Sequence, residues 1–273
     1  MLGHISGGFK SRFSNEVMHL VSFEDEQSHL RDISCSPVEG FTQRERCVLG
    51  NKNNIIGALI GDSHATMLWS PLNDKLNEMG VGIVSFTYDG CPPVLNIYRR
   101  GIVNSCAKYI SDTFDYIRDN EQIKFVLDSA RWTILVERER FDNKEGGLES
   151  GKDVVMDIVR NGVFEKNREE DRKEKVLAEM EHSILSLSST GKSVYVVYPV
   201  PEVGFIPAER LAENLILGQK LDLTTSYDIF LERNRRVRDL FMKIRSSSDE
   251  IDFFDISESI CDKSTRRCKP TNY

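Results

Sequence analysis

The sequence predicts an α/β protein: a three-layer α/β/α sandwich around a mainly parallel sheet. Short apolar runs bounded by turn residues recur along the chain, amphipathic helical stretches separate them, and the first run is apolar almost throughout. Alternation of this kind implies right-handed crossovers and a parallel sheet, and an unbroken apolar strand implies cover on both faces.

Residues 1–49 are polar and irregular and read as an N-terminal extension or linker; an α/β domain over 50–273 follows, with periodic structure starting at Asn54. "NIIGALIG" (54–61) is the first strand. A turn of helix over His64–Trp69 comes next, with Ser70 and Pro71 as an N-cap and first-turn pair for a helix that Gly80 stops. "GVGIVSFTY" is the second strand, "CAKYISDTFDYIRDN" an amphipathic helix and "IKFVLDSA" the third strand. In "EKVLAEMEHSILSLSSTG", Val176, Leu177, Met180, Ile184 and Leu187 share one face and Gly191 ends the helix. "SVYVVYPVP", "YDIFLERNRRVRDLFMKI" and "IDFFDI" read as strand, helix and strand. Two charged stretches, "ERERFDNKEGGLESGKD" and "EKNREEDRKEK", read as surface loops or a charged helix start.

Composition narrows the function. A formal net charge of −7 over 273 residues argues against nucleic-acid binding, which needs a basic surface to displace counterions. The basic run "RNRRVR" around Asn234 reads as a solvated helix face. The longest apolar run is far too short to span a bilayer, and "MLGHISGGFKSRF" lacks the apolar centre of a secretion signal, so neither a membrane span nor an export signal is expected in this chain.

Six cysteines fall into three close pairs: Cys35 with Cys47, Cys91 with Cys106, and Cys261 with Cys268. They read as three local disulfides, the first closing a loop in the extension; six independent thiols are the alternative. None of these pairs has the CxxC spacing of a zinc knuckle or a thioredoxin motif, so metal binding is the weaker reading and no metal is expected. Bridges would place the domain in an oxidising compartment, and without an export signal of its own it would need an upstream segment to carry it there.

The chemistry centres on Ser63. In an open parallel sheet, ligands gather at the carboxyl ends of the strands, and "GDSHA" puts a serine just past the first strand, at the start of a helix. Ser63 can offer a nucleophilic hydroxyl and, through its backbone N–H, an oxyanion donor. In "TYDGCPPVL", Gly90 lets a second backbone N–H approach a substrate oxygen, or simply makes a rigid turn; both readings stand. Asp62 is expected to order the turn, and His64, adjacent to Ser63, to be structural.

"GDSHA", the "GCPP" loop, "DSARW", "YPVPEVG" and "SICDKSTRRC", in that order with paired cysteines, resemble the SGNH domain at the periplasmic end of acyltransferase-3 membrane O-acyltransferases. The resemblance covers roughly residues 30–273, and "GFKSRF" resembles the segment that follows the family's membrane domain. It implies an SGNH-hydrolase, flavodoxin-like sheet. It further implies transfer of an acyl group, usually acetyl, to a hydroxyl of a cell-envelope glycan such as lipopolysaccharide O-antigen or peptidoglycan. Ser63 would be the acyl carrier. The acyl group would come from acyl-CoA through an upstream membrane acyltransferase-3 domain, with no cofactor bound, at the periplasmic face of the bacterial inner membrane.

Two departures from the pattern matter. Where SGNH esterases usually carry an asparagine oxyanion donor, this chain has Ser129-Ala130-Arg131-Trp132. Arg131 could meet an anionic or sugar group and Trp132 form an apolar wall, or both could be packing residues. The family's Asp-x-x-His motif, which completes the triad, does not occur before the chain stops at "KPTNY", and His4, His19, His29 and His182 lie elsewhere. The expectation is a chain cut at both ends, impaired as it stands. A stand-alone carbohydrate esterase and a non-catalytic glycan-binding remnant are the alternatives.

Overall fold

The computed structural model describes residues 12–20, 47–100, 105–160, 163–165, 168–219 and 222–270. Its apolar runs become the strands of one six-stranded sheet. In chain order, β1 is Cys47–Gly50, β2 Ile55–Gly61, α1 the single turn Ser63–Thr66, α2 Trp69–Met79 and β3 Gly82–Thr87. After β4 (Ile97–Arg99) come α3 (Ser105–Asp119), β5 (Phe125–Ser129), α4 (Trp132–Glu137), β6 (Met156–Arg160), β7 (Val163–Phe164) and α5 (Glu169–Ser188). The rest are β8 (Ser193–Val197), α6 (Pro207–Leu217), β9 (Thr225–Ser226), α7 (Tyr227–Ser247), β10 (Ile251–Phe254), α8 (Ser257–Ile260), β11 (Cys261–Asp262) and β12 (Arg267–Cys268).

The sheet order is β1-β3-β2-β5-β8-β10, with every pairing parallel except that of β1. From β2 the chain moves to β3 on one side and then returns to β5 on the other, so the order reverses at β2. Right-handed crossovers then require opposite faces for the two directions of travel. Accordingly α2 packs on one face with Leu49, Leu59 and Ile83, while α3, α4, α5 and α7 cover the other over Ala58, Ile60, Val126 and Val196. Central β2 is buried on both faces, as its unbroken apolar sequence requires, whereas edge strand β10 buries only Ile251 and Phe253.

Some expectations change. Residues 47–49, assigned to the extension, form an edge strand of the sheet together with Gly50, with Cys47 and Leu49 in the core. Helix α2 begins at Trp69, so Ser70 and Pro71 lie inside its first turn and do not cap it; Gly80 closes it in the left-handed conformation. The segment 137–153 is more than a surface loop. Asn143, 3% exposed, accepts the N–H groups of Glu145 and Gly147 and donates to the Val203 carbonyl, clipping the segment to the loop after β8.

Disulfides join Cys91 to Cys106 and Cys261 to Cys268, and Cys47 is also disulfide-bonded; Cys35 lies outside the described residues, as do His4 and His29. None of the described cysteines is a free thiol. The first of these bridges closes a 15-residue separation and pins the GCPP loop to α3, a closure worth roughly 3 kcal/mol in the chain-entropy model. Among the described residues no helix is long and apolar enough to cross a membrane, and no cluster of His, Cys, Asp and Glu could hold a metal ion.

Gly61 sets how closely β2 and β5 end together. A Cβ there would lie 1.8 Å from the Ser129 carbonyl oxygen and 2.6 Å from Ala65 Cβ, at a φ of +150°. Gly80, at φ +69°, has nothing within 4 Å of such a Cβ. Gly61→Ala is therefore expected to cost about 3 kcal/mol or more through forced backbone displacement, and Gly80→Ala only about 1 kcal/mol. Urea unfolding of the two variants checks this; equal midpoints would contradict it.

Candidate active site

The reversal of strand order opens a crevice beyond the carboxyl ends of β2 and β5, the usual ligand position in such sheets. Ser63 follows β2 there, and Arg131 follows β5. Between them sits Asp62, 5% exposed, whose Oδ1 accepts the His64 N–H at 2.9 Å while Oδ2 accepts the Arg131 N–H at 3.0 Å. Asp62 thereby caps α1 and ties the two strand ends together. Burial raises its pKa, opposed by His64 and by these two N–H groups. Burial conversely lowers the pKa of His64, against the attraction of Asp62.

The Gly90 turn closes the other side. Cys91 N–H donates to the Tyr88 carbonyl at 2.8 Å, and Gly90 sits third in the turn at φ +78°, a conformation glycine adopts without strain. Tyr88 N–H donates to the Gly61 carbonyl at 3.0 Å and Thr66 Oγ1 to Asp89 at 3.3 Å, so the two loops are tied together.

Two cavities meet at this point. Ser63, Asp62 and Gly90 line one of about 150 Å³, floored by Pro92, Ile134, Leu135, Val154 and Met156 and edged by Arg99, Arg131 and Arg140. His64 and Arg131 line the second, an open cleft of about 980 Å³ whose far wall is formed by the 146–150 segment and the loop leading into α6. Arg131 borders both. Ser63 Oγ has no hydrogen-bond partner among the described residues, and no described histidine except His64 lines either cavity. His182 projects from α5, 60% exposed, 3.9 Å from Glu179.

Arg131 is not free to bind an anion on its own. Its guanidinium is bidentate to Glu149 and also bonds Glu202, which in turn accepts Arg233 at 3.1 Å; Glu149 accepts Arg140 at 2.8 Å. Three arginines and two glutamates alternate in one partly buried chain. Burial works to lower the Arg131 pKa, and the two carboxylates more than offset it, so it is raised. Glu149, though burial works against its charge, is pulled down to about 2 by Arg131. Trp132, 1% exposed, donates to the Val197 carbonyl at 2.9 Å and packs edge-on against Phe241. It lines neither cavity.

Sequence reading missed Arg99, Arg140, Glu149 and Glu202. Glu202 stood in the quoted "YPVPEVG", and Arg99 lies shortly after the GCPP loop; Glu149 and Arg140 were hidden in a charged stretch that reads as solvent-exposed.

Beneath the crevice Asp128, 1% exposed on β5, has Oδ1 without a partner among the described residues. Burial first, then the nearby charge of Asp62, holds its pKa well above the ordinary carboxyl value. Below about pH 4 the native and unfolded states both keep this proton. As pH rises toward the raised native value, the unfolded chain releases the proton and the native state does not, so stability is lost. Asp128→Asn is expected to match the wild-type Tm near pH 4 and to exceed it at pH 8 by about 2–4 °C or more. Thermal melts at both pH values check the sign; an equal gap at both would contradict it.

Comparison with known proteins bears on this arrangement. A family model described as "SGNH domain (fused to AT3 domains)" matches residues 34–272. No curated protein matches. Among solved structures, the chain is similar to the periplasmic domain of a lipopolysaccharide acetyltransferase from Salmonella ser. Paratyphi A, with a TM-score of 0.58 and 16% identity, covering 89% of this chain and 82% of that one. At that identity the likeness establishes the fold. The family match spans most of the chain and takes in the Ser63 turn, the Gly90 loop and the Arg131 junction alike: the chain belongs to the family of SGNH domains fused to AT3 domains.

Proposed function

We propose that this chain is the acyl-transferring module of an envelope-glycan O-acyltransferase, acetyl being the expected group, with Ser63 as covalent carrier. The observation that carries the reading is the placement of Ser63 and Gly90 in one small, apolar-floored cavity that adjoins a much larger open cleft at the strand-order reversal. About 150 Å³ suits a short acyl chain, and about 980 Å³ has room for a glycan segment. The lipopolysaccharide acetyltransferase domain of the same fold supports the substrate class, and the family's fusion to AT3 domains supports a membrane acyltransferase partner. Disulfide bonding supports a periplasmic site of action.

In this reading Ser63 Oγ attacks the carbonyl carbon of an acyl thioester or ester presented by the membrane partner. The new C–O bond forms as the carbonyl π pair moves onto oxygen, and a general base takes the hydroxyl proton. Collapse of the adduct expels the donor's thiolate or alkoxide, which takes up that proton. A sugar hydroxyl from the larger cleft then attacks acyl-Ser63, losing its proton to the base; as the bond from the acyl carbon to Ser63 Oγ breaks, the base returns that proton to Oγ and the serine hydroxyl is restored. The N–H groups of Ser63 and Gly90 stabilise the oxyanion in both steps. His64 lines the larger cleft and Ser63 the smaller cavity, so His64 is not the base in this scheme. The acyl group originates as acyl-CoA on the other side of the membrane.

Incubating the protein with an activated acetyl ester and mapping peptides by mass spectrometry tests the carrier role. One acetyl group is expected on Ser63, and Ser63→Ala is expected to lower acetylation about 10³-fold or more without lowering Tm. Equal labelling of the variant would remove Ser63 from the mechanism.

A further inference from the structure

The Ser63 cavity is edged by three arginines, and they are not equivalent. Arg131 is neutralised by Glu149 and Glu202, and Arg140 by Glu149. Arg99 is half-buried, and no carboxylate bonds it among the described residues; its one hydrogen bond there runs from Nη1 to the Gly90 carbonyl at 3.0 Å. That bond leaves Nε and Nη2 as charged donors beside the cavity.

Its position is well fixed. Arg99 ends β4, where it pairs antiparallel with Met156, itself a wall of the cavity. The loop joining Gly90 to β4 is pinned by the Cys91–Cys106 bridge and by Leu95 N–H bonding Ser183 Oγ at 2.8 Å. Burial first, then the like charge of Arg140, lowers the Arg99 pKa, with Asp62 opposing. A guanidinium that no carboxylate bonds, at the edge of so small a space, favours an anion there. Just past the end of β5, Ala130 has no side-chain donor and Arg131 is held by its glutamates.

We propose that Arg99 is a catalytic residue: its guanidinium donates to the oxyanion formed when Ser63 attacks the acyl carbonyl, alongside the Ser63 and Gly90 N–H groups. This rests on the acyl-serine reading above. Arg99 transfers no proton; it holds the negative charge that the carbonyl π pair leaves on oxygen until the adduct collapses. Its bond to the Gly90 carbonyl also fixes the orientation of that peptide, so one side chain supplies one donor and positions the turn of another.

Methylphosphonate, a small tetrahedral oxyanion, is the probe. Titrated into the intact protein, it is expected to bind saturably at one site and to shift the Arg99 Nε–H resonance in nitrogen-edited NMR, a readout that needs no variant. Arg99→Gln is expected to weaken binding at least tenfold. Arg99→Lys, which keeps the charge but cannot both hold Gly90 and meet the anion as a fork, should fall between. Arg100→Gln, at an exposed arginine paired with Asp157, should leave binding unchanged. Absence of saturable binding, or wild-type affinity in a folded Arg99→Gln, overturns the inference and leaves Ser63 acetylation as a separate result. Arg99-dependent binding of glucuronate with none of methylphosphonate reassigns the site to an acidic acceptor sugar and also overturns it. Arg99-dependent methylphosphonate binding in a protein whose Ser63 never acetylates overturns the serine reading, and the catalytic role of Arg99 with it.

Discussion

The carboxylate of Asp62 ties β2 to β5 just beyond their last registered pair, Gly61 with Ser129. Parallel strands diverge into loops beyond their last ladder hydrogen bond, and at the reversal of strand order those loops lead away from each other. Asp62 accepts one N–H from each side, His64 on the β2 side and Arg131 on the β5 side. Hydrogen bonds to a charged acceptor are worth about 1.5–3 kcal/mol each, enough to offset much of the desolvation that raises its pKa. Because Gly61 has no side chain, the strands can close to the distance this bridge needs. The β2–β5 ladder and this one buried side chain together place Ser63 relative to the arginine junction.

Around that bridge, electrostatics run against the charge of the whole protein. The chain carries a formal −7, yet Arg99, Arg131 and Arg140 line the cavity of Ser63; Arg140, Arg131 and, farther off, Arg233 alternate with Glu149 and Glu202, and Arg99 stands outside the series. Partly buried pairs of this kind cost desolvation when they form and cost more when one partner is removed, so their main effect is to fix geometry. Here they hold three separate segments, 138–153, the β5–α4 junction and the loop after β8, as one continuous wall between a small cavity and a large cleft. Net charge argues about bulk partners such as nucleic acid; the field inside a cleft is decided by a handful of side chains.

Much of the scaffold could be read from residue order because its signals are local. Apolar runs of strand length, a heptad-like face from Val176 to Leu187 and the stop at Gly80 each specify an element from a short window. Ser63 and Gly90 were visible for the same reason: each sits within a few residues of a strand end, where a parallel sheet exposes its loops. Short elements with weak periodicity escaped: α4, α6 and the two-residue strands β9, β11 and β12 are stabilised by tertiary contacts more than by their own pattern. β1 was lost because four residues of an edge strand, paired on one side only, carry too little alternation to stand out from the polar extension.

The partners of the site were not legible, and distance explains it. Arg131 meets Glu149 across 18 residues and Glu202 across 71, and nothing in a charged loop marks which glutamate turns inward. Trp132 could have been wall or core until the packing of Phe241 and the Val197 carbonyl settled it. From residue order alone came the alternation of strands and helices, the paired cysteines and a serine at a strand end, since each depends on neighbours in the chain. Which arginines are neutralised, which remains uncompensated and which cavity Ser63 faces arose only from folding, because charges and cavities belong to groups brought together across the chain.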